Sequence, residues 1–139
     1  MGIDLQLFVE PDCIRAVATG EFSLEEAKRT FLELMEVVVR HKMEKILIDG
    51  RDLKGNLTVM ERFYFGGFTA DTVDANLLDG KVHNPQFAYI LSESVLDPYR
   101  LGESVAMNRG MRIKMFEDAD KAIQWLGLTP SDQGTAGGA

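Results

Sequence analysis

The chain has 139 residues, 45% of them apolar and 27% charged, a length suited to one hydrophobic core and a composition that excludes disordered, collagen-like and coiled-coil classes. Its 15 Lys and Arg against 22 Asp and Glu give a formal net charge of −7, which argues against nucleic acid or an anionic membrane surface as partner. Cys13 is the only cysteine, so neither an intrachain disulfide nor a thiolate zinc cage is available. The opening residues Met1-Gly2-Ile3-Asp4-Leu5-Gln6 lack the basic and apolar segments of an export signal, and no apolar run approaches the roughly 20 residues that span a bilayer. A cytoplasmic chain without stable membrane insertion is expected.

Leu5, Leu7 and Val9 alternate with Asp4, Gln6 and Phe8, and Ile14, Val17 and Ala18 follow the break Glu10-Pro11-Asp12. This pattern predicts two strands in an antiparallel hairpin. Ser23 with Glu26 is a capping-box signature, after which Leu24, Ala27, Phe31, Leu34, Met35 and Val38 recur every three or four residues and predict an amphipathic helix. Lys45-Ile46-Leu47-Ile48-Asp49 is a short β-branched run ended by Gly50. It reads as a strand covered on both faces and reached by a right-handed crossover. Thr58 and Glu61 repeat the capping box and open a helix expected to end near Val73, weakened inside by Gly66-Gly67.

Residues 74–86 show no period and are expected to form a loop. Phe87 to Ser92 reads as a strand, Asp97-Pro98 as the start of a helix stopping at Gly110, and Ile113 to Phe116 as the last strand. Asp118 caps a final helix carrying Ala119, Ala122, Ile123 and Leu126. From Thr129 onward the chain has too little apolar surface to order. The expected architecture is one α/β domain over residues 1–128, β-β-α-β-α-β-α-β-α, with a mostly parallel sheet, an antiparallel first strand and a disordered tail over 129–139.

Few residues offer reaction chemistry. His41 sits among Arg40 and Lys42 at a helix end, and His83 has no acidic or cysteine neighbour at ligand spacing. Cys13 reads as a small buried hydrophobe. No nucleophile elbow, phosphate loop, dinucleotide fingerprint or His-Glu-x-x-His helix is present. Asp49, Asp52, Glu61 and Asp71 could gather at a cation, but Arg51 stands among them as a neutralising partner, so no metal and no cofactor is expected.

In open parallel sheets ligands bind beyond the carboxyl ends of the strands. That rim holds Asp49, Arg51, Asp52 and Thr58 after one strand and Ser92 after the next, with Tyr99 and Arg100 beyond it. Phe63, Tyr64, Phe65 and Phe68 cannot all face one side of a helix. The surplus aromatic surface, with Phe63, Tyr64 and Phe68 as candidates, is expected to meet a second copy of the chain, a protein partner, or an apolar or amphiphilic small molecule. Residues 99–114 carry Arg100, Arg109, Arg112 and Lys114 against Glu103 alone, a local basic stretch able to receive one small anion or carboxylate head group.

The hairpin ending in Ala16-Val17-Ala18-Thr19-Gly20-Glu21-Phe22, the strand Ile46-Leu47-Ile48-Asp49 and the closing stretch from Met115 to Leu126 resemble the SpoIIAA-like superfamily. That superfamily contains the STAS domains and, more remotely, the CRAL-TRIO lipid-binding domains. The likeness spans residues 3 to 127 and is nearest to stand-alone bacterial STAS/SEC14-like proteins. It implies a non-enzymatic regulatory or protein-interaction domain, or alternatively a small amphiphile or lipid carrier with a pocket under the helix 58–73. STAS regulators carry a phosphorylatable serine at the start of the helix after this strand. The matching stretch here reads Gly55-Asn56-Leu57-Thr58 and lacks it.

Overall fold

The structure, a computed structural model, describes residues 2–55, 58–92 and 103–128. Five strands, β1 (Ile3–Val9), β2 (Ile14–Glu21), β3 (Lys45–Lys54), β4 (Gln86–Ile90) and β5 (Arg112–Phe116), lie side by side in chain order. β1 runs antiparallel to β2, with Ile3 opposite Gly20 and Val9 opposite Ile14. The other neighbours are parallel. The helices are α1 (Leu24–His41), α2 (Val59–Leu78), α3, helical over 103–108, and α4 (Ala119–Leu126).

Because each parallel connection steps one strand in the same direction and such crossovers are right-handed, α1, α2 and α3 must share one face of the sheet. The core bears this out. Phe31, Leu34 and Val38 of α1, Phe65, Ala70 and Val73 of α2 and Ala106 of α3 pack on Ile14, Ala16, Ile46, Ile48, Phe87 and Ile113. Phe31 lies at the centre, edge-on to Phe65 and Phe68 and tilted against Phe87 at 5.7 Å. The opposite face carries α4, whose Ala122, Ile123 and Leu126 cover Leu47, Ala88 and Ile90. This second face is covered over β3, β4 and β5, the strands α4 packs against.

The expected elements are present, with four corrections. β3 does not end at Gly50 but runs to Lys54, because Asp52, Leu53 and Lys54 keep pairing with Thr19, Gly20 and Glu21. α2 continues past Val73 to Leu78, so 74–78 is helix and not loop. Here Thr72 donates to the Phe68 carbonyl and Asn76 to the Thr72 carbonyl, both at 2.8 Å, lining side-chain bonds along the helix where apolar periodicity has faded. Val9, expected inward, is 47% exposed at the end of the edge strand. The first capping box is half made: Ser23 Oγ accepts the Glu26 N–H at 3.2 Å, but the Glu26 carboxylate goes to Ile3 and Arg29 and not back to Ser23. The expected helix start at Asp97-Pro98 and the tail over 129–139 lie outside the described residues.

A candidate interaction surface at the rim of the sheet

Asp49 and Arg51 form a bidentate pair, Arg51 Nη2 donating to Oδ2 at 2.7 Å and Nε to Oδ1 at 3.0 Å. The Arg51 guanidinium holds the Asp49 carboxyl below the usual carboxylate range. Val17 faces Asp49 while Thr19 faces Asp52, so β3 has one more residue than β2 across this interval. Such a bulge re-aims the side chains around it. Its inner wall is Gly50, where a Cβ would press on the methyls of Leu53 at 2.8 Å and Leu91 at 3.0 Å. Leu53 thereby returns to the core, while Asp52 is left exposed.

Thr58 Oγ1 accepts the Glu61 N–H at 3.1 Å and Glu61 Oε1 accepts the Thr58 N–H at 2.9 Å, a complete capping box. The hydroxyl is thus committed to starting α2. Along that helix the aromatic residues divide. Phe65 is buried, and Phe68 is half-buried against Phe31 with the Lys28 ammonium 5.3 Å from its ring. Phe63 and Tyr64 point outward, 51% and 55% exposed, and Val59 and Met60 one turn earlier extend the same surface at 62% and 59%. Val59 and Met60 were not among the expected site residues. Their spacing of four from Phe63 and Tyr64 is the signal that places them on one helix face.

Ser92 follows β4 at the same end of the sheet. Asp71 pairs with Arg109 instead of joining Asp49 and Asp52. Of the other basic residues, Lys114 lies 5.9 Å from the Phe116 ring. Tyr99 and Arg100 lie outside the described residues. Among the described residues no three His, Cys, Asp or Glu side chains converge as a cation site, and no helix is long and apolar enough to cross a membrane.

No protein-family model matches the chain, and no curated protein matches it. Among solved structures, an anti-sigma factor antagonist from Mycobacterium paratuberculosis superposes with a TM-score of 0.57 and 12% identity, over 91% of this chain and 95% of its own. An uncharacterized protein of the DUF3478 family with a SpoIIAA-like fold, from Shewanella loihica, aligns at 22% identity over 90% of this chain and 94% of its own, with a TM-score of 0.49. The chain has the SpoIIAA-like fold.

Within this SpoIIAA-like fold an apolar cavity of about 40 Å³ lies beneath α1 and α2, walled by Phe22, Phe31, Leu53, Phe65, Tyr89 and Leu91 among others. Burial pushes the Tyr89 phenol up. Thr30, the other polar side chain in the lining, spends its hydroxyl on the Glu26 and Ala27 carbonyls at 2.9 and 3.1 Å. This cavity is the nearest counterpart of the pocket expected under α2, and its volume is well below the roughly 300–1,000 Å³ of a small-molecule site.

Proposed function

We propose that this chain is a non-catalytic, cytoplasmic regulatory domain that recognises a protein partner through the N-terminal half of α2. The observation that carries the reading is the contiguous exposed surface of Val59, Met60, Phe63 and Tyr64 on a helix start locked by the Thr58–Glu61 capping box. Aromatic and methionine side chains presented on a rigid element make good interface anchors. Asp49, Arg51, Asp52 and Ser92 would form the polar rim beside them, with Phe68 supporting the helix from beneath. The anti-sigma factor antagonist among the fold neighbours is consistent with a domain that works by binding another protein. A photo-crosslinking residue at position 64 should yield one reproducible protein adduct. Once that protein is purified, Phe63→Ser/Tyr64→Ser should weaken its binding by at least about tenfold without changing the melting temperature. Unchanged affinity would remove α2 as the recognition element.

The amphiphile-carrier alternative rests on the cavity beneath α1 and α2, and at its present size it requires α2 to move outward for a ligand to enter. Organic extraction of purified protein and thermal shift against fatty acids and isoprenoids test it. No extracted lipid together with no shift would end that reading.

A further inference from the structure

The two edges of the sheet are finished differently. At β5 the Met115 N–H turns away from β4 and is taken inside the protein by Glu103 Oε2 at 2.7 Å. Arg112 and Lys114 add charges along the same short strand, and both devices discourage a further strand. At β1 the antiparallel ladder decides which groups face outward. The Glu21 N–H donates to the Gly2 carbonyl and the Glu10 N–H to the Cys13 carbonyl, so even-numbered residues bond toward β2, and Ile3, Leu5, Leu7 and Val9 present N–H and C=O to the outside.

Helix α1 closes the first of these. Ile3 donates its N–H to Glu26 Oε1 at 2.9 Å and accepts from Arg29 Nη2 at 2.9 Å. No described residue does the same for Leu5, Leu7 or Val9. They belong to Leu5-Gln6-Leu7-Phe8-Val9, a stretch with no charge, proline or glycine, in which Phe8 and Val9 are 41% and 47% exposed. Uncharged edges of this kind pair with another strand.

We propose that β1 pairs antiparallel with β1 of a second copy of this chain about a two-fold axis through Leu7. Leu7 then faces the second copy's Leu7, and Leu5 faces its Val9, so each outward N–H from 5 to 9 meets a carbonyl. The ladder ends symmetrically: Ile3, already closed by Glu26 and Arg29, falls opposite Pro11, which has no N–H to give. This termination selects the register. An axis through Leu5 would set Leu7 against the closed Ile3, and an axis through Val9 would set Leu7 against Pro11. Asp4 falls opposite Glu10, whose carboxylate is neutralised by Arg15 at 3.1 Å. The arrangement leaves the exposed half of α2 free, and it stands independently of the partner-binding role proposed for that helix.

Sedimentation of the full chain tests the pairing. Gln6 and Phe8 face one another across the axis in a non-hydrogen-bonded pair, where like charges repel most directly. Wild type should be a dimer, Gln6→Lys/Phe8→Lys a monomer, and Gln6→Lys/Phe8→Glu a dimer again because Lys then faces Glu. Phe63→Ser/Tyr64→Ser should leave the dimer intact. Hydrogen exchange of wild type gives a second readout that needs no variant: the Leu5, Leu7 and Val9 amides should be protected, and should exchange at least about tenfold faster in the Lys/Lys protein. The proposal is overturned by a wild-type monomer at concentrations up to about 100 µM. It is equally overturned by a dimer that survives the Lys/Lys change, by a dimer lost on changing Phe63 and Tyr64, or by rapid exchange of those three amides in the dimer.

Discussion

Glu26 reaches from the first turn of α1 to the edge of the sheet and accepts the Ile3 N–H through Oε1 at 2.9 Å. Arg29 binds the same carboxylate, and together with the Ile3 N–H it holds the Glu26 carboxyl down at about 2. A folded-state value below the unfolded one means that this stabilisation is complete above about pH 4.5 and is withdrawn as the pH falls toward 2. Glu26→Gln keeps an acceptor for Ile3 but loses the titration. The urea midpoint of wild type should therefore fall more steeply than that of the variant between about pH 5 and pH 2.5. Parallel profiles would show that Glu26 does not carry the acid sensitivity.

Thr58 begins α2 through a reciprocal pair of hydrogen bonds with Glu61. Thr58→Ala should lower stability by about 1 kcal/mol, within the range of about 0.5–2 for lost caps, while Thr58→Asp or Thr58→Ser should recover most of it. Equilibrium urea unfolding measures the difference. If Thr58→Asp is as unstable as Thr58→Ala, the hydroxyl does something other than cap.

The Asp49–Arg51 pair makes a prediction that does not depend on global stability. Removing the guanidinium in Arg51→Ala should let the Asp49 carboxyl titrate at higher pH than in wild type, because Arg51 is the main cause of its depression. Carboxyl-carbon NMR titration of both proteins reads this directly. An unmoved Asp49 would place the cause elsewhere, in the bulged backbone.

Cys13 is 2% exposed, and burial together with the Glu10 carboxylate pushes its thiol up to about 12. It should stay unreactive toward a disulfide reagent at about pH 8, where an ordinary thiol is partly ionised, and react stoichiometrically once the chain is unfolded. Rapid modification of the native protein would show that the start of β2 opens readily.

The elements legible in the sequence were those whose signal is local. Ser23, Thr58 and Asp118 each cap the helix that follows, and the inward positions of α1 from Ala27 to Val38 are buried as their spacing predicts, with Leu24 partly buried. Apart from the last turn of α2, where Thr72 and Asn76 bond along the helix itself, two features that escaped depended on partners distant in the chain. β3 outlasts Gly50 because Thr19 to Glu21 lie alongside to pair with it, which no feature of residues 45–54 reveals. Glu26 abandons the Ser23 backbone for Ile3 and Arg29 for the same reason. The candidate surface was half legible: four aromatic residues on one helix exceed what a core face can take, but which of them would be left outside was set by Phe31 claiming Phe65 and Phe68.

That division of α2 gives the last prediction. Phe65 is 7% exposed and packs edge-on against Phe31, so Phe65→Ala removes buried surface and leaves a void beside the existing cavity, at a cost of about 3–5 kcal/mol. Phe63 and Tyr64 lie on the outward face of the same helix, and Phe63→Ala and Tyr64→Ala should each change stability by no more than about 0.5 kcal/mol. Urea unfolding of the three variants under one set of conditions separates the two classes. Because helix propensity rises on replacing either exposed aromatic with alanine, a slight gain in stability at 63 or 64 is also consistent with an outward position. A loss at 63 comparable with that at 65 would mean that the ring is packed in solution, and the surface assigned to partner recognition would lose its central anchor.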